Sequence, residues 1–251
     1  MNNTRPRLVN AGTVAPRILT VYPHPDDESF GPAVVLAKYA RRGSVIHGIF
    51  ATRGEQGEPL DGLTLTPTDL ARQREHDLRD ATAAIGYTGI EVLGYGDGTL
   101  ATVPEEQLET WVLTAINRYR PDVLITFGPG GITRHPDHQI ISRVTTAAFH
   151  QARRKGIRLG ELYYDAVRPL RAQKFEIAEL PDGQPNTWID VSSTAATKIE
   201  ALRCHARHIK DAQQRAEQLE REPETVATLY RAWPVVDPGL RLTGLMTGDR
   251  D

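Results

Sequence analysis

Between residues 17 and 155, short β-rich apolar runs alternate four times with segments of helical periodicity, and this alternation constrains the fold more than any other feature of the chain. The runs are 17–22, 44–51, 90–94 and 121–127, and the helical segments are 29–42, 67–86, 105–120 and one ending near 155. Strand followed by helix, repeated in this way, predicts an α/β, Rossmann-like fold: a mostly parallel sheet flanked by helices on both faces. After residue 160 the pattern changes to short strand candidates at 161–167, 174–178 and 188–191, then a long charged helix at 192–221, a smaller C-terminal strand-plus-helix extension. A chain of 251 residues fits one such domain. The expected organisation is a flexible arm at 1–16, a single α/β domain at 17–236 and a partly mobile tail at 237–251.

Composition removes several classes of function. Lys and Arg number 30 against 32 Asp and Glu, a net charge of −2, which argues against nucleic acid as a partner held by a bulk positive field. No apolar run approaches the roughly 18 residues of a membrane span, so no membrane partner is expected. Cys204 is the only cysteine, which excludes a disulfide framework and a cysteine-rich zinc site. The N-terminal residues lack a continuous apolar stretch of signal-peptide type, and the expected location is cytoplasmic. Neither Gly-x-Gly-x-x-Gly nor Gly-x-x-x-x-Gly-Lys-Ser/Thr follows the first strand, so dinucleotide or nucleoside triphosphate binding through those loops is not expected.

Ligands of open α/β sheets sit at the carboxyl ends of the strands, and two related segments fall there. Pro23-His24-Pro25-Asp26-Asp27-Glu28 follows the first strand, and Arg134-His135-Pro136-Asp137-His138 follows the fourth. Either segment alone reads as a turn with an Asx cap. Together they supply more imidazoles and carboxylates than the fold needs. Two imidazoles and one carboxylate on a divalent ion leave a coordination position open, the catalytic arrangement of zinc, and another divalent metal such as Fe2+ fits the same donors. Such an ion serves hydrolysis at neutral pH.

These segments, with Thr52-Arg53-Gly54-Glu55-Gln56-Gly57 and Leu93-Gly94-Tyr95-Gly96-Asp97-Gly98, resemble the LmbE-like (PIG-L) family of zinc-dependent de-N-acetylases. The resemblance runs from Arg17 to about Arg154 and is only general beyond Leu162. It implies a hydrolase that removes acetyl from an N-acetylated amino sugar, a small-molecule N-acetylglucosaminyl conjugate. It further implies His24, Asp27 and His138 as metal ligands and Asp26 as general base toward water at the metal. His135 resembles the residue that stabilises the tetrahedral intermediate, with Asp137 expected to orient its imidazole. Arg74 and Asp97 resemble a substrate-contacting pair. Arg74 also reads as a surface ion pair with Asp77 or Asp80, and Asp97 as a turn residue. Some family members carry Tyr two residues before His135, where this chain has Thr133.

Other readings stand beside this one. The nearest is an amidase that cleaves a larger acyl group from a glucosamine conjugate. The residues also fit the facial triad of non-haem Fe(II) oxygenases, or a non-catalytic sugar-binding protein on the same fold. His205 and His208, three apart on the long helix, read as surface histidines, and Cys204 as a small buried hydrophobe.

Overall fold

The computed structural model describes residues 15–167, 185–235 and 242–245. Seven strands form one sheet in the order β3-β2-β1-β4-β5-β7-β6. They are β1 (Ile18–Tyr22), β2 (Ile46–Thr52), β3 (Gly89–Tyr95), β4 (Val123–Phe127), β5 (Glu161–Asp165), β6 (Thr187–Asp190) and β7 (Val226–Trp233). The first five pair in parallel, and β7 runs antiparallel to both β5 and β6. The strand candidate at 174–178 lies outside the described residues. The sequence reading passed over β7, whose apolar residues are interrupted by Arg231. The sheet buries that arginine by pairing it with Glu161 at 3.1 Å.

Every residue of β1 and β4 is buried, because helices cover both sides of the sheet. Alternate residues serve different cores. Ile18, Val123 and Ile125 pack with α2 (Ala33–Ala40), α3 (Pro67–Ile85) and α7 (Ala195–His205) on one face. Leu19, Val21 and Leu124 pack with α4 (Glu105–Tyr119) and α6 (Pro136–Arg154) on the other. Among the described residues no helix is long and apolar enough to cross a membrane. Of the tail expected from 237, residues 242–245 are described. There Trp188 N–H donates to Leu242 O at 2.7 Å, and Leu245 is buried against Tyr39.

Two expected helices are broken. The segment at 29–42 becomes α1 (Asp27–Phe30) and α2, separated by Gly31 and Pro32, where Pro32 supplies no backbone donor. The segment at 192–221 becomes a 3-10 turn at Ser192–Thr194, then α7, then α8 (Lys210–Arg221). Ile209 is extended, at φ −116° and ψ 124°. Its neighbours bond to the loop after β2 instead of continuing the helix: Leu60 N–H donates to His208 O at 2.9 Å, and Lys210 N–H to Glu58 O at 3.3 Å. Ile209 itself is buried with Leu70, Leu202 and Leu219. Burial of this apolar side chain and pairing of the backbone replace one turn of helix. Helical periodicity, which continues through the break, does not register it.

The strand order reverses at β1 and β4, which are neighbours in the sheet although their sequences lie about a hundred residues apart. Loops leaving their carboxyl ends therefore diverge around one crevice. Both His-Pro-Asp segments open into it.

Candidate active site

His24 follows β1, Asp27 opens α1, and His138 lies in the first turn of α6. Their donor atoms meet. His24 Nδ1 is 3.2 Å from His138 Nε2 and 3.5 Å from Asp27 Oδ2, and His138 Nε2 is 3.5 Å from Asp27 Oδ1. The outward-facing ring nitrogens settle which of these atoms carry lone pairs. His138 Nδ1 sits 2.9 Å from Gly131 O, so it carries the proton and leaves Nε2 bare. His24 Nε2 sits 3.0 Å from Asp97 Oδ1 and 3.3 Å from Asp137 Oδ2, so Nδ1 is bare as well. With the outward nitrogens protonated, two lone pairs and a carboxylate converge, an arrangement that positive charge satisfies, supplied by a bound metal ion or, without one, by a second proton on His24. A tetrahedral zinc with bonds of 2.0–2.1 Å has ligand-to-ligand edges of about 3.3 Å, which matches these separations. The donor set fits zinc.

Electrostatics agree. Burial alone would lower the His24 pKa, but Asp137, Asp27 and Asp97 push it up to about 12, a measure of how strongly the pocket demands positive charge. Burial works against the Asp97 carboxylate, yet His24 and the Gln56 amide hold it at about 2. Asp137 is enclosed and accepts from Gly98 N at 2.8 Å and Leu100 N at 3.1 Å.

Asp137 and Asp97 therefore both face His24. The sequence reading had paired Asp137 with His135, and the structure places it elsewhere. Asp137 gives His135 only its backbone N–H, donated to His135 Nδ1 at 3.2 Å as the cap of α6. That bond leaves the His135 proton on Nε2, and the ring lines the cavity 4.9 Å from the His24 ring. A close approach shapes the short helix α5 (Gly131–Arg134) that precedes α6. Gly131 has φ +63°, and a Cβ there would lie 2.7 Å from the His138 Cβ. Ile132 and Arg134 also adopt positive φ, at 60° and 61°. A branched side chain held in that region marks stored backbone strain, which gathers at functional sites.

Asp26 lies beside the donor cluster and lines the same cavity. Its backbone is at φ 106° and ψ −24°. Arg74 is no surface residue. It is buried, and its guanidinium donates from Nη2 to Asp26 Oδ2 at 2.5 Å and to Pro25 O, and from Nη1 to Gly54 O at 2.6 Å. Gly54 permits this, since a Cβ there would stand 2.0 Å from Nη1. Burial raises the Asp26 pKa, Arg74 opposes and Asp27 adds to the rise, which leaves it at about 6. Such a carboxylate is ionised yet still basic near neutrality, the range in which a general base works best.

The cavity measures about 730 Å³, in the range of small-molecule sites. Its far wall carries polar groups from β5, α7 and α8, among them Asp165, Lys198 and Gln214. Thr133 lines it too, and among the described residues no tyrosine does. Sequence reasoning did not single out Asp165, because nothing in the local pattern of β5 marks it. Burial raises the Asp165 pKa to about 7, against a hydrogen bond from Tyr22 Oη at 2.7 Å and the charge of Lys198. Its Oδ1 has no hydrogen-bond partner among the described residues. The folded carboxyl titrates above its ordinary value of 3.8, so its stabilising contribution is complete below that pH and is lost as pH climbs through about 7. Asp165→Asn keeps an acceptor for Tyr22 and removes the titration. With metal stripped from both proteins, the variant is expected to gain roughly 5 °C in melting temperature relative to wild type between pH 5 and pH 8. Parallel melting profiles across that range would refute the assignment.

Comparison with known proteins agrees with this geometry. The family described as PIG-L, GlcNAc-PI de-N-acetylase, matches residues 19–149, more than half of the chain. A protein of Actinosynnema mirum named 1D-myo-inositol 2-acetamido-2-deoxy-alpha-D-glucopyranoside deacetylase is 32% identical over 232 residues, covering 78% of this chain and 82% of its own length. Two solved structures share the fold at a TM-score of 0.69. One is N,N'-diacetylchitobiose deacetylase from Pyrococcus horikoshii, at 16% identity, covering 89% of this chain and 87% of that one. The other is the 4-carboxy-2-hydroxymuconate hydratase GalB from Pseudomonas putida KT2440, at 17% identity, covering 89% and 99%. A deacetylase and a hydratase on one fold show that the backbone alone does not select the reaction. The family match spans both His-Pro-Asp segments, and on it the chain belongs to the GlcNAc-PI de-N-acetylase (PIG-L) family.

Proposed function

We propose that this protein is a zinc-dependent deacetylase that hydrolyses the acetamide of a soluble N-acetylglucosaminyl conjugate, with the metal held by His24, Asp27 and His138. The convergence of two imidazole nitrogens and a carboxylate beside Asp26, in the lining of one cavity, is the observation that carries this reading. When bound there, the ion polarises the acetyl carbonyl and lowers the pKa of water towards 7. Asp26 takes the proton of the attacking water, and Arg74 keeps its carboxylate aimed and charged. The Nε2–H of His135 donates to the oxygen that becomes negative in the transition state, and the proton that Asp26 takes from water passes to the departing nitrogen as the C–N bond breaks. Asp97 and Asp137 hold His24 in the tautomer that offers Nδ1.

The name of the Actinosynnema relative favours an inositol glycoside as the conjugate. The test is amine and acetate release by zinc-loaded enzyme from three compounds. These are 1D-myo-inositol 2-acetamido-2-deoxy-alpha-D-glucopyranoside, N,N'-diacetylchitobiose, and the inositol glycoside with a longer N-acyl chain. The inositol acetamide is expected to be turned over at least about tenfold more efficiently than the other two, since a mismatched aglycone or acyl group leaves polar cavity groups unpaired. Faster release of the longer acyl group would make the protein an amidase of larger conjugates. Silence on all three compounds with zinc bound would reject the reading.

A further inference from the structure

A polar contact lies behind Asp26 that the reaction above does not use. His205, the last residue of α7, and Glu28 of α1 are both fully enclosed, and His205 Nε2 stands 2.8 Å from Glu28 Oε1. The same carboxylate receives the Ser29 hydroxyl on Oε1 at 2.5 Å and the backbone N–H of Asp26 on Oε2 at 3.0 Å. We propose that His205 is a positioning residue for Asp26, acting through the Glu28 carboxylate. The inference rests on the role given to Asp26 above.

Asp26 occupies a left-handed backbone conformation that residues with side chains rarely adopt. Something must hold it there. On its carbonyl side the holders are the Ser29 and Phe30 amides, at 2.8 and 2.9 Å. On its amide side the holder is Glu28 Oε2, and that oxygen is aimed only while the carboxylate as a whole is fixed. Ser29, its sequence neighbour, moves with the same short helix. His205 does not: it belongs to a helix 177 residues away in sequence that packs against α1, so it is the external anchor of the assembly. With Glu28 fixed, the Asp26 side chain falls on the Arg74 guanidinium and into the cavity.

The enclosure of His205 supports this role. Its Nδ1 has no hydrogen-bond partner among the described residues, a desolvation cost that a leucine at the same place would avoid. A residue needed only to fill space between α1 and α7 would not carry that cost. The bond to Glu28 gives the imidazole a task that packing does not.

The test compares His205→Leu, which fills the space without a donor, with His205→Gln, whose amide can reach the position of Nε2. Both are measured as zinc-loaded enzyme on the N-acetylglucosaminyl substrate that wild type hydrolyses. His205→Leu is expected to lower kcat about tenfold or more, with KM within about twofold and zinc content unchanged, because a displaced base slows proton transfer without altering ground-state binding. His205→Gln is expected to restore kcat to within about threefold of wild type. Added to Asp26→Asn, His205→Leu is expected to cost nothing further, since it acts through the group already removed. The inference is overturned if His205→Leu keeps wild-type kcat, if Gln and Leu lose alike, or if the double variant is slower than Asp26→Asn by the full single-variant factor. Should His205→Leu fail to fold, Glu28→Gln decides: unchanged kcat there overturns the inference, and a fall of about tenfold supports it. Full activity of Asp26→Asn itself would instead remove the reading of the base on which this inference stands.

Discussion

Asp26→Asn is expected to lower kcat by about a thousandfold while the protein still binds one equivalent of zinc. A positioned general base contributes typically 10²–10⁴ in rate, and an amide cannot accept the proton. Asparagine is the substitution of choice because it tolerates positive φ, the conformation Asp26 adopts at 106°. Its carbonyl oxygen also still accepts from Arg74, so the backbone turn and the buried guanidinium keep their partners. Asp27, the adjacent residue, retains its place in the donor cluster. The check is paired measurement of amine release and metal content on the same preparation. A variant within about tenfold of wild type would remove Asp26 from the role of base.

The second large effect concerns the metal. His138→Ala is expected to weaken zinc binding by more than about a hundredfold and to bring turnover to background, since even partners outside the ligand set cost 10–100-fold when lost. The variant separates two possible donor groups. One is His24 with His135 and His138, beside which Asp27 lies, and the other is His24 with Asp97 and Asp137, whose atoms also lie within 4.8 Å of one another. Only the first uses His138. If zinc sat on the second, competition against a chelator would find its affinity unchanged in His138→Ala. The tautomers argue for the first: His24 Nε2 faces both carboxylates as a donor, while its Nδ1 and His138 Nε2 have no donor role left. The lost stacking of His138 on Phe127, with ring centroids 4.2 Å apart, is expected to lower the melting temperature as well. The chelator titration is therefore read on folded protein, verified by circular dichroism.

Local sequence carries the alternation of strand and helix and the placement of both His-Pro-Asp segments at strand ends. It also carried the resemblance to a de-N-acetylase family, which the family match upholds. Those features are legible because periodicity, turn residues and short motifs act over a few residues, within the reach of a local reading. Which side chain meets which was decided only by the tertiary structure. Asp137 serves His24 rather than its neighbour His135 because β1 and β4 are adjacent in the sheet, which brings residues 113 positions apart to 3.3 Å. Arg74 turns inward because Gly54 leaves room for its guanidinium and Asp26 supplies a buried charge to meet it. His205 and His208 read as surface residues on a polar helix. One is enclosed against Glu28 and the other lies 2.5 Å from Asp77, because the helix breaks at Ile209 to pair with the loop after β2. A carboxylate or imidazole has the same local signature whether it faces water or a partner. Burial and pairing depend on chain segments far away in sequence, and only the folded arrangement brings those segments within a hydrogen bond of one another.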